Sequence, residues 1–319
     1  MISRSIFPCL AVVVAVLLTG CASEHEVQPA IALKPFIVDH QDRTNSAVDV
    51  SFLLDAPAGK EGFIRVQDGH LVKPDGTRFR IWGVDLTGWT RGSTILPPKE
   101  QAPLWAAEMA RFGINCVRFH FLDMPSQDGS MTNESGRRIP SGLIAAGNTS
   151  QELEPAALDR LDFFIAELKK QGIYVNLNLN VGRRYREGDD VPDYKFIQRA
   201  ATKGMTFVGD RLLELQRDYA RKLLTHYNPY TKSEYCNEPA VACVEIVNEN
   251  SLVEFWCRNW LQGQLTQDHP APQLDFSPYY EKILNRMYQD WLAKNRTPDQ
   301  LDQLRKLAGV KPGAPVPRT

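Results

Sequence analysis

An amide, a carboxylate and a second amide, Asn248-Glu249-Asn250, stand directly after the apolar run 240–247 (Ala-Val-Ala-Cys-Val-Glu-Ile-Val). A carboxyl group at the mouth of a buried strand can give and take a proton, and an amide beside it can hydrogen-bond a hydroxyl. Other polar residues gather at comparable places, towards the ends of apolar runs: Asp85, Arg118, His120, Asn178 and Asn180. Glu245 lies inside the last run and is read as facing inward, towards a partner the sequence does not identify.

The elements that must position these groups follow from periodicity. A run rich in Val and Ile reads as a parallel strand covered on both faces. Residues 62–82 read as strands joined by tight turns at Asp68-Gly69 and Asp75-Gly76, a hairpin pattern. A helix is expected over 98–112, with Leu104, Ala107, Met109 and Phe112 on one face and Gly113 stopping it; a strand follows over 114–121. A second helix spans 155–171, with Leu158, Leu161, Phe164, Ile165 and Leu168 at helical spacing, ended by Gly172 before a strand over 173–180. A third runs from Asp210 to Tyr227, carrying Leu212, Leu213, Leu215, Tyr219, Leu223 and Leu224. Ser277-Pro278 and Thr297-Pro298 open two more, the last closed by Gly309.

With 81–86 counted first, four strands alternate with helices, so an α/β chain with a parallel sheet is expected. An open doubly wound sheet and a (β/α)8 barrel both fit that alternation. No Gly-x-Gly-x-x-Gly or phosphate loop follows any strand. The polar residues instead collect at strand C-terminal ends, the rim that carries chemistry in a (β/α)8 TIM barrel. The expected fold is therefore of TIM-barrel type, incomplete at about four βα units and preceded by a small β-hairpin region.

The chain of 319 residues carries a formal charge of −1, which implies no nucleic-acid partner. Its N-terminus is read as a leader. Arg4 precedes an apolar run over 6–18, and Leu18-Thr19-Gly20-Cys21 follows. The run falls short of the roughly 20 residues a spanning helix needs. This resembles a bacterial lipoprotein signal, with cleavage before Cys21 and lipid attached to it, which places the body outside the cytoplasm at the cell envelope. The expected organisation is a signal peptide over 1–20, a tether and N-terminal extension over 21–60, and a partial barrel over 61–319. Cys116 and Cys243 fall in apolar strands as small hydrophobes, and a Cys236–Cys257 bridge is not expected. No spacing resembles a zinc site, and no metal or cofactor is expected.

The stretch Gly113-Ile114-Asn115-Cys116-Val117-Arg118 and the strand-ending Asn248-Glu249 together resemble the retaining glycoside hydrolases of clan A, the cellulase-like family 5 group being the most similar. By that resemblance Glu249 is the general acid/base, Asn248 holds the 2-hydroxyl of the sugar at the scissile bond, and Arg118 holds the carboxylate of the nucleophile. His120 and Asp123 then line the rim. Trp89 and Trp256 either stack on sugar faces or pack in the core. A retaining mechanism needs a second carboxylate about 5–5.5 Å from the first. The family carries it at the end of a seventh strand, and this chain shows four, so the nucleophile is expected to be missing and the chain inactive alone. The full-length form would hydrolyse a β-linked poly- or oligosaccharide by double displacement. The alternatives are a non-catalytic carbohydrate-binding surface lipoprotein derived from a hydrolase fold, and a structural lipoprotein with no ligand. The segments 123–154 and 183–208 are either subsite walls or mobile inserts.

Overall fold

Three parallel pairings tie four strands into one sheet: β3 (Gly83–Gly88) with β5 (Cys116–Phe119), β5 with β6 (Tyr174–Asn178), and β6 with β9 (Val241–Glu245). The structure is a computed structural model that describes residues 48–88, 93–128, 139, 141–195, 197, 201–269 and 275–318. The leader with Cys21, and Trp89, lie outside the described residues. The short β4 (Ser93–Thr94) lies antiparallel along β3, so the sheet runs β4-β3-β5-β6-β9. The parallel strands follow one another in chain order. A doubly wound sheet reverses its order partway, whereas a (β/α)8 barrel does not. The fold is therefore α/β of the barrel type, with the described sheet open between β4 and β9.

The connecting helices are α1 (Ala102–Arg111), α2 (Pro155–Lys170), the short α3 (Ala201–Met205) and α4 (Asp210–Leu224). After β9 come α5 (Leu252–Cys257), α6 (Pro278–Asn295) and α7 (Pro298–Leu307). Gly113 and Gly172 adopt positive φ just past α1 and α2, where a left-handed residue ends a helix. Thr297 caps α7 in a reciprocal box with Gln300, with Pro298 in its first turn. The expected Asp68-Gly69 turn joins β1 (Arg65–Gln67) to β2 (His70–Val72) with both residues at positive φ, the two-residue geometry that matches strand twist. The third expected strand of that region is reduced to a single bridge between Val72 and Arg78, and Ile81 and Trp82 are exposed ahead of β3. A small hairpin, β7 (Tyr227–Asn228) with β8 (Ser233–Glu234), was not foreseen. It is pinned by buried Asp162, which meets His226, the Tyr235 hydroxyl and, through its backbone carbonyl, Asn228.

Register gives the sheet two unlike faces. Leu86, Phe119, Leu177 and Val244 form one row across the four strands, and Asp85, Arg118, Asn176 and Cys243 form the adjacent one. The first face packs against the helices. Leu86, Val117, Phe119, Val175 and Leu177 join Leu158, Leu161, Phe164, Ile165 and Leu168 of α2 in one buried cluster. Phe164 sits edge-on to both Phe119 and Trp105. The α2 stripe is the expected one. In α1 the buried stripe is Ala102, Ala106 and Ala110 rather than the larger apolar residues, and Phe112 is exposed. The smallest side chains allow the closest backbone approach, so they take the seam.

The strand 240–247 departs from expectation. It is an edge strand, not one covered on both faces. Val244 is 40% exposed and Ile246 69%, on the face where Leu86, Phe119 and Leu177 are buried. Stability is expected to follow this asymmetry. Leu177→Ala should cost about 2–5 kcal/mol, and Ile246→Ala about 0.5 kcal/mol or less, read by urea unfolding. Equal costs would mean that β9 is covered on its outer side.

Candidate functional site

Arg118 is the hub of the polar face. Its Nε and Nη2 donate to the two carboxylate oxygens of Glu245 at 2.8 and 2.9 Å, a bidentate pair reaching from β5 past β6 to β9. Nη1 donates to Asp85 at 3.1 Å, and Nη2 also donates to Oδ1 of Asn248 at 2.9 Å. The partner that sequence could not supply for Glu245 is thus Arg118. The nucleophile seat expected at Arg118 is taken in this structure by the chain's own Glu245 and Asp85. Burial pushes the Glu245 carboxyl up, but the hydrogen bonds and charge of Arg118 outweigh it and hold the group below its ordinary value. For Asp85 burial wins, and its carboxyl sits above the usual value despite Arg118.

The strand's continuation carries the expected pair. The Asn248 backbone N–H donates to the Asn180 carbonyl at 2.9 Å, which anchors the turn to the end of β6. Asn248 is buried, whereas the Glu249 side chain is 76% exposed on a residue with φ of 47°. Asn250 then donates to the Lys203 carbonyl and the Thr206 hydroxyl, which ties the turn to α3. Ser251 caps α5 by accepting from the Glu254 amide. The result is a carboxylate displayed on a short turn that is fastened on both sides.

Lys203 is a residue the sequence did not single out. It is buried, and its ammonium lies 3.6 Å from a Glu249 oxygen. Burial pulls the amine below its ordinary value, with Glu249 acting in the opposite direction. Its signal in the sequence is nil, since a lysine on a short helix is ordinarily a solvated charge.

His120 is buried near the rim, its ring beside Phe121, with Nδ1 lacking a hydrogen-bond partner among the described residues. Burial, with help from Arg118, drives its pKa down to about 4, so the imidazole is neutral at neutral pH. Asp123 is a correction. Expected to line the rim for substrate, it is fully buried, and its carboxylate accepts the consecutive backbone N–H groups of Val181, Gly182 and Arg183 at 2.9–3.3 Å. A carboxylate so occupied staples the chain after β6 and has no face for a ligand. Trp256 sits on α5 and is 60% exposed. With Leu252, Val253, Leu261, Leu284 and Tyr288 it lines an apolar cavity of about 290 Å³. It is therefore a surface aromatic rather than a core residue.

The long inserts are held in their described parts. Arg183 is buried and donates to the Ser150 hydroxyl, the Ser150 carbonyl and the Leu215 carbonyl. Asp189 accepts from the amides of Ser150 and Arg186. Through Ser150, these contacts tie the described parts of the two inserts to each other. Cys116, Cys236, Cys243 and Cys257 are free thiols, and burial raises that of Cys116 to about 12.

No family model matches the chain, and no curated protein does either. Among solved structures the chain is similar to an endo-1,4-beta-mannanase from Rhizomucor miehei, at 15% identity and a TM-score of 0.41, covering 73% of this chain and 58% of that one. It is also similar to an endo-beta-1,4-mannanase from Thermotoga petrophila, at 22% identity and a TM-score of 0.34, covering 55% and 36%. A glycoside hydrolase family 5 mannosidase from Rhizomucor miehei is similar at 15% and 0.41, covering 59% and 49%. The chain thus spans between about a third and three fifths of the length of these structures.

The Arg118 cluster has an acid-dependent consequence. A carboxylate whose folded pKa is depressed contributes stability that is complete above its ordinary value of 4.5 and is lost as pH falls through the lowered folded value. The stability difference between the wild type and Glu245→Gln is therefore expected to be largest at neutral pH and to shrink below 4.5, measured by urea unfolding across the acid range. A difference that stays constant with pH would show that Glu245 is not held ionised by Arg118.

Proposed function

We propose that this chain carries the amide–carboxylate half of a carbohydrate site, and that the protein it belongs to hydrolyses O-glycosidic bonds in a β-linked poly- or oligosaccharide. The observation that carries the reading is Glu249 displayed on a fastened turn at the C-terminal rim, next to an Asn248 whose carbonyl is engaged by Arg118. Glu249 is suited to protonate the glycosidic oxygen as its bond breaks, then to take a proton from the incoming water. With Oδ1 of Asn248 accepting from Arg118, the amide nitrogen is left to donate to a sugar hydroxyl. Neutral His120 at the rim adds a hydrogen-bonding group without charge, and exposed Trp256 offers a face on which an apolar sugar ring can stack. In this reading a retaining double displacement takes its nucleophile from a carboxylate other than Glu245, which is committed to Arg118.

A non-catalytic carbohydrate-binding role is the second reading. It is favoured by one observation: the charge of Arg118 is already met by Glu245 and Asp85, so the cluster is electrostatically complete without another acid. Calorimetry with β-1,4-linked manno- and cello-oligosaccharides, together with turnover of aryl β-glycosides, separates the two. Both readings expect binding that Asn248→Ala weakens by about tenfold, the worth of one hydrogen bond. Turnover by this chain abolished in Glu249→Gln would show that it holds its own nucleophile. Absence of any oligosaccharide binding would sink both.

We further infer a lipid tether at Cys21 in the bacterial envelope, supported by the order Arg4, apolar run, Leu18-Thr19-Gly20-Cys21. Among the described residues no helix is long and apolar enough to cross a membrane. Full-length protein expressed in a bacterium should incorporate labelled palmitate, and Cys21→Ala should not. Equal labelling of both would refute the anchor.

A further inference from the structure

Glu245 and Asn248 are fastened to the same guanidinium. Arg118 has five N–H donors in a rigid plane. Nε and one N–H of Nη2 lie on Glu245, the other N–H of Nη2 lies on Asn248 Oδ1, and Nη1 reaches Asp85. A side-on bidentate pair fixes the plane of the guanidinium, which a single hydrogen bond cannot do. The direction of the second Nη2 hydrogen is then set by Glu245, and that hydrogen selects which edge of the Asn248 amide faces inward. An asparagine amide reverses donor and acceptor when it flips. With Oδ1 bound to Arg118, its NH2 is the edge left for a ligand, and a ligand acceptor such as a hydroxyl oxygen is what it can take. Were the amide reversed, two donors would confront each other at 2.9 Å, the distance now spanned by the Arg118–Asn248 bond.

We propose that Glu245 is a positioning residue of this site: by fixing Arg118 it holds the Asn248 amide in the orientation that donates to a ligand hydroxyl. The inference about orientation stands on the hydrogen-bond geometry; that the ligand is a sugar rests on the function proposed above. Asp85, bound by one hydrogen bond at the outer nitrogen, limits the swing of Arg118 but does not set its plane.

The test reads the amide directly. In the full chain, the side-chain NH2 signals of Asn248 are assigned in nitrogen–proton correlation spectra by their absence in Asn248→Asp. Glu245→Gln is expected to shift these signals and narrow their separation, as the amide samples both orientations. Asp85→Asn, which leaves the bidentate pair intact, is expected to move them less, and it serves in its own right if Glu245→Gln does not fold. In parallel, the affinity for a β-1,4-linked oligosaccharide should fall by about tenfold in Glu245→Gln and by no more in the Glu245→Gln, Asn248→Ala double variant than in Asn248→Ala. Asn248 signals unchanged in Glu245→Gln, or moved as far by Asp85→Asn, would overturn the proposal, as would additive losses of affinity. If the wild type binds no sugar, the carbohydrate reading fails while the amide signals still decide the role of Glu245.

Discussion

A guanidinium on the polar face of a four-stranded sheet, three-quarters withdrawn from water, cannot stand without anions around it. Arg118 meets this constraint by drawing Asp85 from one neighbouring strand and Glu245 from two strands away, and by capturing the carbonyl of Asn248 beyond the sheet. The rest of the site depends on that clamp. It joins β3, β5 and β9 across their polar face, and it sets the place from which the turn bearing Glu249 departs. Hydrogen bonds from Asn248 to Asn180 and from Asn250 to Lys203 and Thr206 hold the other sides of the turn.

The two faces of the sheet divide the labour. Alternate residues of β3, β5 and β6 either enter the apolar cluster with α1 and α2 or carry the polar row, so the same backbone supplies both rigidity and chemistry. Around this sheet the inserts are fastened by buried polar groups rather than by apolar packing alone. Asp123 gathers three amides after β6, and Arg183 and Asp189 stitch that segment to Ser150. Buried charges used in this way fasten the described parts of long connections to one another.

Much of this was readable in the residues. The stripe of α2, the stopping glycines and the Asp68-Gly69 turn follow from spacing alone, because each is a local property. What escaped is long-range. The composition of 240–247 tells how apolar the strand is but not whether anything lies beside it, so its edge position was invisible. Asp123 looks the same in sequence whether it faces a ligand or gathers amides, and the donors lie 58 to 60 residues away. Glu245 was placed on the inner face, but its partner is separated by 127 residues. Lys203 gave no warning, since burial, not residue type, distinguishes it.

Arg118 and Glu245 act as a coupled unit that organises the polar face. A double-mutant cycle of Arg118→Met and Glu245→Gln, read by urea unfolding at neutral pH, tests it most directly. A coupling of about 1.5–3 kcal/mol is expected, the range for hydrogen bonds between charged groups. Additive single-variant effects, with coupling below about 0.3 kcal/mol, the level seen for independent sites, would contradict it.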